Sequence, residues 1–138
     1  MITIEQTFPL LLEACPSFQD AYRKSVAAWG ADLPYLTLGD FARHLLELYQ
    51  EGKTTEIETA AEVIERLHSR GDQRVREAVT IGLLESIQNV WKSNGVDPGL
   101  FYPFLRAESR RWWHSLDLFW QGTIRFVGQD LSEGDVAL

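Results

Sequence analysis

Cysteine is nearly absent from this sequence. Cys15 stands alone among 138 residues, so no intramolecular disulfide can form. Nothing else points to the oxidising compartments where such bonds persist. Cys15 lies between Ala14 and Pro16 at an expected helix end and reads as a small buried hydrophobe rather than a nucleophile. Basic charge is scarce too: 13 Lys and Arg face 20 Asp and Glu, a formal net charge of −7. Nucleic acids and anionic membranes are held by neutralising phosphate with Lys and Arg, so neither is an expected partner, and a basic protein is the natural complement. No apolar run approaches the roughly 20 residues that cross a bilayer. Met1 to Gln6 shows no basic segment leading into an apolar one, so no secretory signal is expected and the protein is placed in the cytoplasm.

Chemistry-bearing motifs are missing as well. There is no His-Glu-x-x-His, no Gly-x-Ser-x-Gly, no phosphate-cradling glycine loop and no cysteine pair. Glu65 and His68 have the Glu-x-x-His spacing of di-iron bundles, but that chemistry needs two such motifs and two further carboxylates. A single copy reads better as an ion-paired or solvated histidine near a helix C-terminus, where positive charge is favoured. Asp40 and His44, four apart, suggest a second surface pair. No metal, no cofactor and no enzymatic activity are expected.

What the sequence does contain is helix. Hydrophobic residues make up 45% and aromatics 12%, enough to pack an interior without a metal or crosslink. Strand-like alternation is not sustained anywhere, and the best candidate, Leu33 to Leu38, contains Pro34. Thr3 with Gln6 resembles a capping box opening a first helix that ends at Cys15-Pro16. Ser17 with Asp20 can cap a second helix to about residue 28. A third is expected over 37–50, on the apolar spacing of Leu38, Phe41, Ala42, Leu45 and Leu48. Thr55 with Glu58 forms another capping-box pattern for a helix to about residue 69. Asp72 then caps a fifth helix reaching about residue 92. This one is apolar around most of its circumference (Val75, Ala78, Val79, Ile81, Leu83, Leu84, Ile87, Val90, Trp91), which marks a central element. Asp97-Pro98 opens a short helix over 98–105, and a last helix is expected over 107–126. The expectation is an all-α fold, a compact bundle or short helical array of about six to seven helices. It forms one domain over 1–126, with an acidic, flexible tail over 127–138.

Two resemblances add to this reading. Asp72 to Ala78, followed by Ile81-Gly82-Leu83-Leu84, resembles the second helix of HEAT-like repeats, which implies an antiparallel hairpin with the preceding helix. More broadly, Phe8 to Pro16, Leu38 to Leu45 and Glu108 to Trp113 resemble a family of small, uncharacterised bacterial helical proteins. That resemblance implies a bacterial cytosolic protein and brings no activity or site residues. In character such proteins are similar to the immunity proteins that neutralise polymorphic toxins.

Two functional classes follow. From Leu36 to Glu65 seven acids face two bases, and Glu58, Glu62 and Glu65 share one helix face opposite the apolar one. That face is either simply solvated or the docking surface of a basic protein, which makes the chain an immunity-type binder of a basic toxin or nuclease. The second class is a small-molecule-binding or enzymatic domain using the Trp112–Trp120 region with His114 and Asp117. The aromatic stripe of that region can be core or contact surface. Trp112 and Trp113, adjacent on a helix, point about 100° apart, so one of them is expected at the edge of the core and able to meet a partner.

Overall fold

The computed structural model describes residues 1–131, and among them there are seven α-helices and no β-strand. The Thr3 N–H donates to the Gln6 side-chain oxygen at 2.9 Å, as the capping-box pattern predicts, and α1 (Ile4–Ala14) follows. A 3-10 turn (Pro16–Phe18) leads into α2 (Gln19–Trp29), which stops at Gly30 with φ +87°, a conformation side chains with a Cβ resist. α3 (Pro34–Gln50) begins at Pro34 rather than at Thr37, because proline at the first helical position loses no hydrogen bond.

α4 (Thr55–Arg70) starts where expected, but the Thr55–Glu58 capping box does not form. Thr54 is the N-cap, and its carbonyl accepts the Glu58 N–H at 3.0 Å. Gly71 and Asp72 make the turn to the next helix, where the Asp72 carboxylate accepts the Val75 N–H at 2.9 Å. What the sequence presents as one helix is α5 (Gln73–Glu77), a π-helical segment (Ala78–Leu84) and α6 (Glu85–Ser93) in unbroken succession. The β-branched run Val79-Thr80-Ile81 sits in the widened turn, where α-helical crowding would restrict its rotamers.

This rod is central, as its all-round apolar character implies. Of its apolar positions only Ile81 and Val90 are incompletely buried. Its π segment and α6 lie against α3, which contributes Leu38, Phe41, Ala42 and Leu45. α2 covers another side of α3, while α4 packs between α1 and α7. At the closest approach of α3 to the rod stands Gly82: a Cβ there would come within 2.9 Å of Leu38 Cδ1.

The expected helix over 98–105 is instead two 3-10 turns, Pro98–Leu100 and Tyr102–Phe104, because Pro103 has no N–H to continue an α-helical ladder. α7 (Ala107–Trp120) ends well before residue 126. Gly122, at φ +78°, donates to the Phe119 carbonyl, and Thr123 donates to that of Leu118, the paired bonds of a Schellman stop. Residues 127–131, expected as the start of the tail, lie against α7. Val127 is buried, and Ser115 bridges the Gly128 N–H and the Asp130 carboxylate. The rest of the expected tail, 132–138, lies outside the described residues.

The amino terminus locks the α4–α5 turn. The Ile2 N–H donates to the Arg70 carbonyl at 2.9 Å, and the Asp72 N–H donates to that of Ile2 at 3.0 Å. A Cβ at Gly71 would collide with the Leu67 carbonyl and with Val75, neither of which can yield without opening this turn. Gly71→Ala is therefore expected to destabilise the fold by about 1–3 kcal/mol, read from the urea midpoint; a loss below about 0.5 kcal/mol would show the turn to be yielding.

Candidate functional site

The three glutamates that share a face in sequence have different environments. Glu58 is exposed. Glu62 forms an ion pair with Arg106 at 2.8 Å, both side chains open to solvent. Glu65 turns to the N-terminus of α7, where its carboxylate accepts the Glu108 N–H at 3.0 Å, the Ser109 N–H at 2.9 Å and the Ser109 hydroxyl at 3.0 Å. Arg106, the N-cap residue, offers no capping side chain, so α4 supplies the cap from outside.

Ser109 carries this contact inward. Its Oγ lies 2.8 Å from His68 Nδ1, and His68 Nε2 lies 3.0 Å from the Thr80 hydroxyl in the π segment. A carboxylate only accepts, so Ser109 gives its single hydroxyl proton to Glu65. His68 Nδ1 must then hold the hydrogen it shares with Ser109, and Nε2 accepts from Thr80. His68, Ser109 and Thr80 are all buried, and burial pushes the His68 pKa down to about 3, keeping the imidazole neutral. His68 is thus neither ion-paired nor solvated, as its Glu-x-x-His setting suggested. Glu65 and His68 meet through a serine. Among the described residues no cluster of three His, Cys, Asp or Glu side chains is arranged to hold a metal ion.

Both adjacent tryptophans are buried, Trp112 at 2% and Trp113 at 5% exposure. Two different interior surfaces receive them. The Trp112 ring stacks on His68 at 6.5 Å, whereas Trp113 packs on Phe101 at 6.2 Å and Tyr102 at 6.5 Å in the 3-10 turns. The exposed tryptophan of α7 is Trp120, at 60%. With Trp113 and Asp117 it lines a cavity of about 580 Å³ between α6 and α7. Burial raises the Asp117 carboxyl pKa above its ordinary value, while nearby His114 and a 3.2 Å hydrogen bond from Gln88 oppose the shift. His114 itself is exposed, and Glu108 pairs with Arg111 at 2.8 Å.

A contact that spacing could not show lies at the other end. Ser17 Oγ is 2.7 Å from His44 Nε2, and the Ser17 N–H donates to Glu56 at 3.0 Å. Asp40 pairs with Arg43 rather than with His44. The Ser17–His44 pair has the first contact of a serine nucleophile and its base. Two further requirements are unmet: the Ser17 N–H is already committed to Glu56, and among the described residues no carboxylate bonds the other His44 nitrogen. Burial of His44 lowers its pKa, and burial pushes the neighbouring Cys15 thiol up to about 11, so that the cysteine stays protonated.

The third feature is apolar. Trp29, Leu33, Tyr35 and Leu36, at 40–48% exposure, flank the α2–α3 turn as an apolar ledge. On it Leu33, Tyr35 and Leu36 border one depression and Trp29 another, with Lys24, Arg43 and Glu47. Beside it two depressions of about 380 and 420 Å³ share Ile4, Asp32, Pro34 and Arg74. Their charged lining is Glu5, Asp32 and Glu77 against Arg74. Sequence patterning missed this surface because Tyr35 and Leu36 precede the periodic stripe that begins at Leu38.

Two outcomes follow. Glu65→Lys, which breaks three hydrogen bonds and places a cation at the positive end of α7, is expected to cost about 2–4 kcal/mol, against less than about 1 for Glu58→Lys. Equal effects in urea denaturation would return Glu65 to the solvated face. The depressed His68 pKa gives the second. Below pH 6.5 the unfolded chain takes up a proton that the folded protein refuses until about pH 3, so stability is full above this window and falls as pH drops through it. Between pH 7 and pH 5 the wild type should lose about 2 kcal/mol more than His68→Gln; identical slopes would rule out a neutral, buried imidazole.

Neither curated proteins nor solved structures give a match to the chain. Residues 8–121 match the family described as Domain of unknown function (DUF7674), and the chain belongs to that family.

Proposed function

We propose that this chain is a protein-binding domain that docks a basic partner on the ledge at the α2–α3 turn. The supporting observation is the ledge itself: Trp29, Leu33, Tyr35 and Leu36 leave large apolar surface in water within one short stretch. A soluble protein rarely keeps such a patch without a use, and Trp and Tyr are the residue types that dominate binding energy at interfaces. Acids around the ledge and the net charge of −7 favour a partner of opposite sign. Glu58, exposed on α4, adds to the negative field that attracts such a partner before contact.

Small size, acidity and helical build are features shared by immunity-type proteins that neutralise basic toxins or nucleases, and we place the chain in that class, acting in a bacterial cytoplasm. The identity of the partner tests this. Tagged wild-type protein, recovered from cells that naturally make it, should retain one basic protein identified by mass spectrometry. Leu33→Asp combined with Leu36→Asp, with the helical circular dichroism spectrum intact, should weaken that association at least about tenfold, since two buried apolar anchors are lost. Association should also slow as salt rises. An acidic partner, or binding unaltered by the double substitution, would overturn the proposal.

A further inference from the structure

The cleft between α6 and α7 is unlike the ledge. On α7, Trp113, Asp117 and Trp120 stand at spacings of four and three, so one face presents a carboxylate between two indoles. Trp113 forms the closed inner side, seated on Phe101, and Trp120 the open outer side. Opposite, α6 supplies Gln88 and Lys92, one helical turn apart. Gln88 holds one Asp117 oxygen at 3.2 Å, and no described group bonds the other. Lys92 has no acid among the described residues within ion-pairing distance, and the nearby Asp97 carboxylate is engaged by the Gly99 N–H at 2.8 Å.

We propose that this cleft binds a small zwitterion, with its alkylated ammonium group between Trp113 and Trp120 against Asp117 and its anionic group at Lys92. Indole faces attract ammonium groups through the negative π-surface, most strongly where water is excluded. Asp117 has lost part of its hydration, which nearby His114 only partly offsets, and it forms no ion pair among the described residues, so an ammonium group would restore the balance. A purely cationic ligand would be repelled by Lys92 in the same lining, and a purely anionic one by Asp117. Lys92 stands one helical turn from Gln88, the residue that bonds Asp117, so the two opposite charges border one cavity on facing helices, as a compact zwitterion requires. The cavity, about 580 Å³, is of the size that small-molecule sites show.

The site can be probed with glycine betaine and phosphocholine as zwitterions, choline as the cation alone and acetate as the anion alone. Titration of the full chain is followed by tryptophan fluorescence. At least one zwitterion should give a saturable change with Kd near or below about 1 mM, at least about fivefold tighter than choline, with no saturation by acetate. Asp117→Asn should weaken zwitterion binding about tenfold or more. Lys92→Gln should remove the preference over choline, and Trp120→Ala should weaken both. Each variant is read only with its circular dichroism and urea midpoint near those of the wild type; Asp117→Asn keeps the side-chain shape, so it is the decisive one. No saturable response to either zwitterion, choline bound equally well by the wild type, or unchanged binding by a folded Asp117→Asn would each overturn the assignment.

Discussion

The fold depends on a buried chain of hydrogen bonds running from Glu65 through Ser109 and His68 to Thr80. It joins α4 to the π segment, 12 residues on from His68 at Thr80, and to α7, 41 residues on at Ser109. In a low-dielectric interior such a chain is stabilising only when every member is satisfied, and here donors and acceptors alternate without a gap. Glu65 also closes the N-terminus of α7, so one carboxylate both caps a helix and fixes the direction of the hydrogen bonds behind it. The neutral histidine is the sensitive member, because charging it would place an uncompensated cation beneath Trp112.

The widened turn of the central rod belongs to this arrangement. A seven-residue π segment places Thr80 where its hydroxyl reaches His68, while Gly82 in the same segment lets α3 approach. Such turns distort the helix, and here the distortion is offset by a polar contact on one side and close apolar packing on the other. The same packing leaves the two candidate contact surfaces at the periphery. The ledge of Trp29, Leu33, Tyr35 and Leu36 crowns the α2–α3 turn, and the Trp113–Asp117–Trp120 cleft opens between α6 and α7. Neither shares a residue with the buried hydrogen-bond chain, though the cleft's inner wall, Trp113, is itself part of the apolar core.

Much of this was legible in the chain itself. Apolar spacing placed the core faces of α3 and α4, the all-round apolar character of Val75 to Trp91 placed the rod at the centre, and Thr3, Asp72 and Asp97 marked true starts. Such signals act over one or two turns, and the physics that produces them is equally local. Boundaries failed where a proline or glycine acted against periodicity: Pro34 opened α3 early, Pro103 broke the expected helix after Pro98, and Gly122 stopped α7 at a Schellman turn.

The candidate sites were less legible. Glu58, Glu62 and Glu65 are equivalent by spacing, yet one is exposed, one ion-paired and one a helix cap, because α7 docks over only part of that face. Trp112 and Trp113 diverge by the helical angle, as any adjacent pair must, but both are interior because His68 receives one and the 3-10 turns the other. The Ser17–His44 contact bridges residues with no periodic relation at all. Sequence by itself determined which segments are helical and which stripe of each is apolar, since hydrogen bonding within a helix and amphipathicity are properties of neighbouring residues. Tertiary structure alone decided which polar groups meet and which large side chains stay in water, because those outcomes depend on where distant helices dock and how much surface each one covers.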